Sequence, residues 1–326
     1  MKIAMYGSGA AGSVFASYLR MGGADMVLID RYKEHMDKVA RDGMNFTIHH
    51  NENGEYVDTV HQLTGFTTYT DAKDCGVVDI IIFMTKATQL DQAVQDAKPC
   101  IGPNTVAVSL INGLGNDDTL LKYFPRERCI IGSGVLGTAL TGPGCCVSSP
   151  AAGVQMNFGG ITRSELSDKA CEYMEKAFRA GGCEAYWRKD DIYYYVWKKV
   201  LINSTVNTVC TVLRLKINQV DADEYGRKLF EEVAREAAAV ATARGTKIDA
   251  DEFIKNDLAD VIKNVGDYYP SMCQDALMHK RQTEISVLNG KIAEYGDQLG
   301  VPTPTNHVLT QLVCCIQNNY DLQYLG

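Results

Sequence analysis

The chain has 326 residues, 46% of them apolar, enough for two cores of ordinary domain size. Its 32 basic and 40 acidic residues leave a net charge of −8, which argues against the broad basic surface that nucleic acid requires but permits a local pocket for a small anion. No run approaches the ~20 apolar residues of a membrane helix, and no basic-then-apolar leader precedes the first strand, so a cytoplasmic protein with no membrane partner is expected.

The first half of the chain alternates strand and helix. Lys2–Tyr6 reads as a short buried strand that ends in a Gly-rich turn, and Val14, Phe15, Tyr18 and Leu19 give Ser13–Met21 helical spacing. Met26–Ile29 is a second strand, followed by a helical pattern through Val39. Ile80–Met84 is another strand, then come a helical stretch at Gln89–Val94 and strands at Val106–Ile111 and Cys129–Ile131. Short apolar strands separated by helices imply a parallel, doubly wound sheet. Gly134–Gly160 is rich in Gly, Ser, Thr and Pro with a strand signal at Val154–Phe158, and reads as antiparallel additions to that domain. Beyond Trp187 helical patterns dominate: Ile192–Thr211, Asp221–Arg244, Asp251–Asn264 and Arg281–Leu299, with a last helix at Asn306–Asn318 after Pro302-Thr303-Pro304. The expected fold is α/β: an N-terminal Rossmann domain over residues 1–188 and an all-α domain over 189–326. The eleven cysteines have no zinc spacing and read as reduced, buried thiols, and the scattered histidines suggest no metal site.

Gly7-Ser8-Gly9-Ala10-Ala11-Gly12 fits G-x-G-x-x-G directly after a strand and at the start of a helix. The first glycine permits the turn, the second lets backbone approach a pyrophosphate, and the third lets helix pack on strand, so the loop is expected to hold a nicotinamide dinucleotide. Asp30 closes the second strand, where a carboxylate accepts hydrogen bonds from the adenosine ribose and favours NAD. Arg31 beside it could instead hold the 2′-phosphate of NADP or be a solvated charge. NAD is favoured, because a fixed carboxylate at the strand end repels a phosphate.

Ligands of open α/β sheets sit beyond the strand ends, where Lys86 and the Asn112-Gly113-Leu114-Gly115 turn stand. Lys199, Asn203 and Asn207 recur at i, i+4 and i+8 on a mostly apolar helix, which puts them on one stripe facing either solvent or a cleft. A desolvated lysine there would suit a general acid. From the residues alone, Ser271 reads as a helix N-cap and Glu284 as a first-turn or surface carboxylate.

Taken together and in order, these pieces resemble the ketopantoate reductase family. The resemblance spans nearly the whole chain: the Gly-rich loop, Lys86, Asn112–Gly115, Trp197-Lys198-Lys199 leading to Asn203 and Asn207, Ser271-Met272 with Gln274-Asp275, Thr283-Glu284-Ile285, Asn289-Gly290, and Gly300–Pro304. It implies a second domain like the C-terminal domain of 6-phosphogluconate dehydrogenase, a site in a cleft between the domains, and reduction of ketopantoate to pantoate, a step of pantothenate synthesis, with NAD or NADP. It also implies roles. Lys199 would be the general acid, and Glu284 the carboxylate that orients it or holds a substrate hydroxyl. Asn203, Asn207 and Ser271 would bind substrate, Asn112 would lie between nicotinamide and substrate, and Lys86 would face the substrate carboxylate or the cofactor. Asp30 departs from many members, which carry a small residue before the Arg. The branch with an aspartate resembles NAD-dependent D-2-hydroxyacid dehydrogenases of branched or aromatic 2-keto acids, and that is the alternative activity. A dinucleotide sensor without turnover is the alternative of another class. The expected partner is a small 2-keto acid, and apolar surface on the second domain could support a homodimer.

Overall fold

Continuous apolar runs are what strands need when both faces of a sheet are covered, and Ile80-Ile81-Ile82-Phe83 is such a run, fully buried. In the computed structural model, which describes residues 1–52, 55–150 and 155–323, it lies at the centre of an eight-stranded sheet. In chain order the elements of this half are β1 (Lys2–Tyr6), α1 (Ala10–Met21), β2 (Asp25–Ile29), α2 (Lys33–Asp42), β3 (Met44–Glu52), β4 (Glu55–Leu63), β5 (Thr67–Tyr69), β6 (Val78–Phe83), α3 (Leu90–Asp96) and β7 (Ile101–Ser109). There follow α4 (Asn116–Leu120), β8 (Cys129–Gly134), β9 (Leu136–Gly142), β10 (Cys145–Pro150), β11 (Met156–Gly160), α5 (Glu165–Ala180) and β12 (Ala185–Trp187). The main sheet runs β12-β11-β8-β7-β6-β1-β2-β5, parallel throughout except where β11 pairs antiparallel with β8.

Two features of this half add to the sequence expectations. Residues 44–63 form a hairpin, β3 and β4, which no sequence pattern named above predicts. The stretch 134–160 does supply antiparallel strands to the first half, divided between two sheets. Its β9 and β10 join that hairpin in a second, four-stranded sheet, β4-β3-β10-β9, and only β11 extends the first. The strand expected at Val154–Phe158 begins at Met156 as described, and Val154 lies outside the described residues.

The helical half starts with α6 (Ile192–Ile202), continues through a π turn (Asn203–Asn207) and ends in α7 (Thr208–Leu213). After it come α8 (Ile217–Ala222), α9 (Glu224–Ala243), α10 (Ala250–Glu252), a second π turn (Phe253–Leu258), α11 (Ala259–Val265), α12 (Ser271–Cys273), a third π turn (Gln274–Met278), α13 (Asn289–Leu299) and α14 (Pro304–Asn318). The helix expected over Arg281–Leu299 is shorter. Lys280 takes a left-handed φ of 49°, the chain then runs without regular structure to a single 3₁₀ turn at Ile285–Val287, and α13 begins only at Asn289.

The chain forms two units, Met1–Asn112 with Asn116–Ile192, and Gly113–Gly115 with Tyr193–Gly326. Sequence alone places one boundary at 188/189, whereas the units meet at 192/193 and the second unit also takes three residues from the first half. Each unit has its own core. One gathers around Met5, Phe15, Tyr18, Ile80 and Phe178. The other surrounds Trp197, Leu201, Phe230 and Tyr295, and it includes Leu114. Among the described residues no helix is long and apolar enough to cross a membrane.

Candidate active site

In the first unit the Gly-rich loop turns where its glycines demand it. Gly7 has a φ of +96°, and a Cβ there would stand 2.9 Å from the Met84 carbonyl carbon. A Cβ on Gly12 would lie 1.9 Å from the Gly7 carbonyl oxygen, so the first turn of α1 can pack on the strand end only without one. Gly9 differs, since a Cβ there would meet no protein atom within 4 Å. Its missing side chain keeps open the space into which a phosphate must come. The Ser8 hydroxyl, buried in the same loop, has no hydrogen-bond partner. An open cradle beside an unpaired donor at a helix N-terminus fits a dinucleotide pyrophosphate. Ser8, Gly9, Ala10 and Ala11 would hold it.

Two groups fix this loop. The Ser8 N–H donates to Asp30 Oδ2 at 2.6 Å and the Tyr32 N–H to Oδ1 at 2.8 Å, so Asp30 pins the loop from the end of β2. Each carboxylate oxygen keeps a lone pair for a ribose hydroxyl. From α2, His35 Nδ1 accepts from the Gly144 N–H at 2.8 Å, which leaves the ring proton on Nε2 to reach Ser13 Oγ at 3.1 Å, and Ser13 Oγ donates to the Ser8 carbonyl at 2.7 Å. Burial pulls the His35 pKa below its usual 6.5, with Asp30 pushing weakly the other way, and the neutral ring is the form these bonds require. Arg31 turns to Asp96 at 2.7 Å. Lys86 is exposed ahead of a 3₁₀ turn, Ala87–Gln89, and Asn112 is half-buried beyond β7.

In the second unit two adjacent lysines part company. Lys198 pairs with Asp257 at 2.5 Å. Lys199 is half-buried, and desolvation of its ammonium is the dominant influence, lowering its pKa from the usual 10.5. The carboxylate of Glu284 opposes that fall. Glu284 comes from the irregular segment before the 3₁₀ turn. Both the backbone N–H and the hydroxyl of the preceding Thr283 donate to Gln317 Oε1 of α14, at 3.1 and 2.9 Å, and Ile285 behind it is fully buried. Glu284 is thus not the first-turn helix residue that its sequence context suggests.

The π turn carries the two asparagines, Asn203 and Asn207, both largely buried. In a regular α-helix, residues four and eight positions beyond Lys199 would drift about 40° and 80° round the axis. A wider turn with i→i+5 bonding takes back part of that drift, so Asn207 returns towards the Lys199 line. Asn207 Nδ2 donates to Ser271 Oγ at 3.4 Å. Ser271 is the first residue of α12 rather than its cap. Pro270 takes the cap position and makes no side-chain cap bond, which leaves the serine hydroxyl to Asn207. Lys199 with Glu284 and Asn207 with Ser271 are therefore gathered within one unit: a cation, a carboxylate and neutral donors.

Sequence reading gave no role to the group behind this turn. Asn289 Nδ2 donates to the Ser204 carbonyl inside the turn at 3.1 Å and to Asn306 Oδ1 at 3.0 Å, while its Oδ1 accepts from Thr208 Oγ1 at 2.6 Å. Asn306 in turn gives its backbone and side-chain N–H groups to Glu236. The one available signal was that Asn289-Gly290 belongs to the resemblance, with no function attached.

A phosphate cradle on a mostly parallel sheet, followed by a helical unit with a desolvated lysine in the field of a carboxylate, is the design of a Rossmann-type NAD(P)-dependent oxidoreductase. Residues 3–160 match the family described as Ketopantoate reductase PanE/ApbA, and residues 191–317 match Ketopantoate reductase PanE/ApbA C terminal. The 2-dehydropantoate 2-reductase of Lactococcus lactis is 31% identical over 314 residues, 96% of this chain and 97% of its own. That of Streptococcus pyogenes is 28% identical over 313 residues, with 96% and 97% covered. Among solved structures, a D-mandelate dehydrogenase with NADH and anilino(oxo)acetate superposes with a TM-score of 0.82 at 29% identity, covering 99% of this chain and 100% of that one. The chain belongs to the ketopantoate reductase family.

Proposed function

We propose that the protein is a 2-dehydropantoate 2-reductase that reduces ketopantoate to pantoate with NADH. The observation that carries the reading is Lys199, a lysine with a lowered pKa opposite Glu284 on a helix whose π turn aligns Asn203 and Asn207. When bound, the dihydronicotinamide supplies a hydride to the C2 carbonyl carbon. As the C=O π pair moves to oxygen, Lys199 Nζ gives a proton to it, which leaves a neutral amine and a secondary alcohol; the amine regains its proton from solvent. Desolvation makes the ammonium a readier donor, and the carboxylate of Glu284 favours the protonated form. Asn203, Asn207 and Ser271 offer neutral donors and acceptors to the substrate's carboxylate and hydroxyl, so that developing alkoxide meets dipoles already in position. Asn112 and Lys86, on the first unit, would serve cofactor and substrate from the strand ends. Asp30, with lone pairs to spare that could accept from a ribose diol, supports NADH.

The likeness to D-mandelate dehydrogenase, together with Asp30, favours one second reading: an NAD-dependent D-2-hydroxyacid dehydrogenase of branched or aromatic 2-keto acids. Initial rates of NADH oxidation with ketopantoate, 2-ketoisocaproate and phenylpyruvate separate the two. A higher kcat/KM for ketopantoate supports the first reading, a higher value for either of the others replaces it with the second, and no turnover with any acid points to a dinucleotide sensor.

A further inference from the structure

The cavity on the first unit where the adenosine half of a dinucleotide would lie has a volume of about 340 Å³, and its lining includes Tyr6, Gly7, Asp30, Arg31, Gln92 and Asp96. Arg31 is the cation of this lining. Its side chain is 80% exposed, yet its guanidinium is paired with Asp96 of α3, with Nη2 donating to Oδ2 at 2.7 Å. The other oxygen of that carboxylate accepts from Gln92 Nε2 at 2.8 Å, one turn earlier on the same helix, so Asp96 is held from two sides and faces Arg31 in a fixed pose. The field of Asp96 also reaches into the cavity: the Tyr6 phenol is pushed up to about 12, by burial first and by Asp96 next.

We propose that Asp96 is a second determinant of cofactor choice, acting by occupying Arg31. Asp30 and Asp96 outnumber the one guanidinium, so the cavity carries a net negative charge. A ribose 2′-hydroxyl is a donor and suits carboxylate neighbours. A 2′-phosphate is dianionic and needs a cation, and it would meet in Arg31 a guanidinium whose charge Asp96 already offsets and whose position Asp96 fixes, while standing beside two like charges. An exposed ion pair of this kind adds little to folding stability, so its effect is felt in recognition. The inference rests on the NADH preference proposed above and assigns part of it to a residue outside the Gly-rich loop and the end of β2.

The test is equilibrium binding without keto acid, following nicotinamide fluorescence as wild type, Asp96→Asn, Arg31→Ala and the double variant are titrated with NADH and with NADPH. The asparagine keeps the shape of Asp96 at an accessible position and is compatible with folding. Asp96→Asn is expected to shift the ratio of dissociation constants towards NADPH by roughly 5–30-fold, the scale of one charge removed and one guanidinium released near a surface. Adding Arg31→Ala should cancel most of that gain, leaving the smaller part due to the removed charge alone. A wild type that binds NADPH more tightly overturns the NADH reading and this inference with it. A wild type that prefers NADH, with an unchanged ratio in Asp96→Asn, overturns the inference alone. A gain that survives Arg31→Ala undiminished also overturns it, since the released guanidinium would then not be the cause.

Discussion

Lys198 and Lys199 differ by one position and by nearly everything else that matters to a proton donor. Lys198 is neutralised by Asp257, whereas Lys199 is desolvated, with the charge of Glu284 opposing the fall in its pKa. Replacing Lys199 by alanine should lower kcat by ~10²–10⁴, the usual worth of a positioned general acid, while Lys198→Ala keeps kcat within about threefold. The sign of the pH effect follows from the chemistry. The acid must be protonated, so reduction slows as pH rises through the lysine's pKa, which lies below 10.5. Glu284→Gln removes the influence that raises that pKa, and the alkaline limb of kcat should move to lower pH. An unmoved limb would show that another group titrates. His35 gives a second pH effect, on stability. Its folded-state pKa lies below the usual 6.5, so the unfolded chain binds the proton more readily. The contribution of the neutral ring is whole above about pH 6.5 and is lost as pH falls from there towards the folded-state value. Urea midpoints measured down to about pH 5 should therefore drop more steeply in wild type than in His35→Gln.

Elements were legible where their period was unbroken. The strands β1, β6 and β7 could be read because buried parallel strands are apolar throughout, and α1 because its glycines precede a regular apolar stripe. The hairpin β3–β4 was not, although Met44, Phe46 and Ile48 point inward at every second position. The intervening Asn, Thr and His lower the mean apolarity and disguise a one-sided strand as a loop. The opposite error lengthened α13. Ile285, Leu288 and Ile292 keep helical spacing, but Thr283 is held by Gln317 and the chain leaves the helix there. That departure delivers Glu284. The π turn at Asn203–Asn207 carries no sequence signal of its own, because its widening depends on partners far along the chain. Asn289 is the chief of these, and Asn289→Ala would leave Thr208, the Ser204 carbonyl and Asn306 underpaired in the core. A loss of about 2–4 kcal/mol in chemical denaturation is expected. If the turn also aligns the substrate groups, kcat/KM at a temperature where the variant is fully folded falls as well; Thr208→Val, which removes a single bond of the network, should give a smaller fall in both.

At the scale of the whole molecule, two units could be inferred from texture alone, since strands stop and long helices begin after Trp187. The exchange of three residues could not, because nothing local distinguishes Gly113-Leu114-Gly115 from any turn after a strand. The Leu114 N–H donates to the Val287 carbonyl at 2.9 Å, its side chain is buried in the helical core, and a Cβ on Gly113 would come within 2.6 Å of Val287. The helical unit is therefore not a cassette. Leu114 leaves the ribosome long before the helices that enclose it, so the second core can close only by reaching back to a segment already made. Residues 193–326 transplanted onto another nucleotide-binding domain would arrive with a hole where Leu114 belongs. In the intact chain, Leu114→Ala should cost about 2–5 kcal/mol, as buried leucines do. The resulting rise in amide exchange should fall on α6, α7 and α9, not on the sheet from which Leu114 departs. A gene that trades its helical half by recombination must therefore trade those three upstream residues as well.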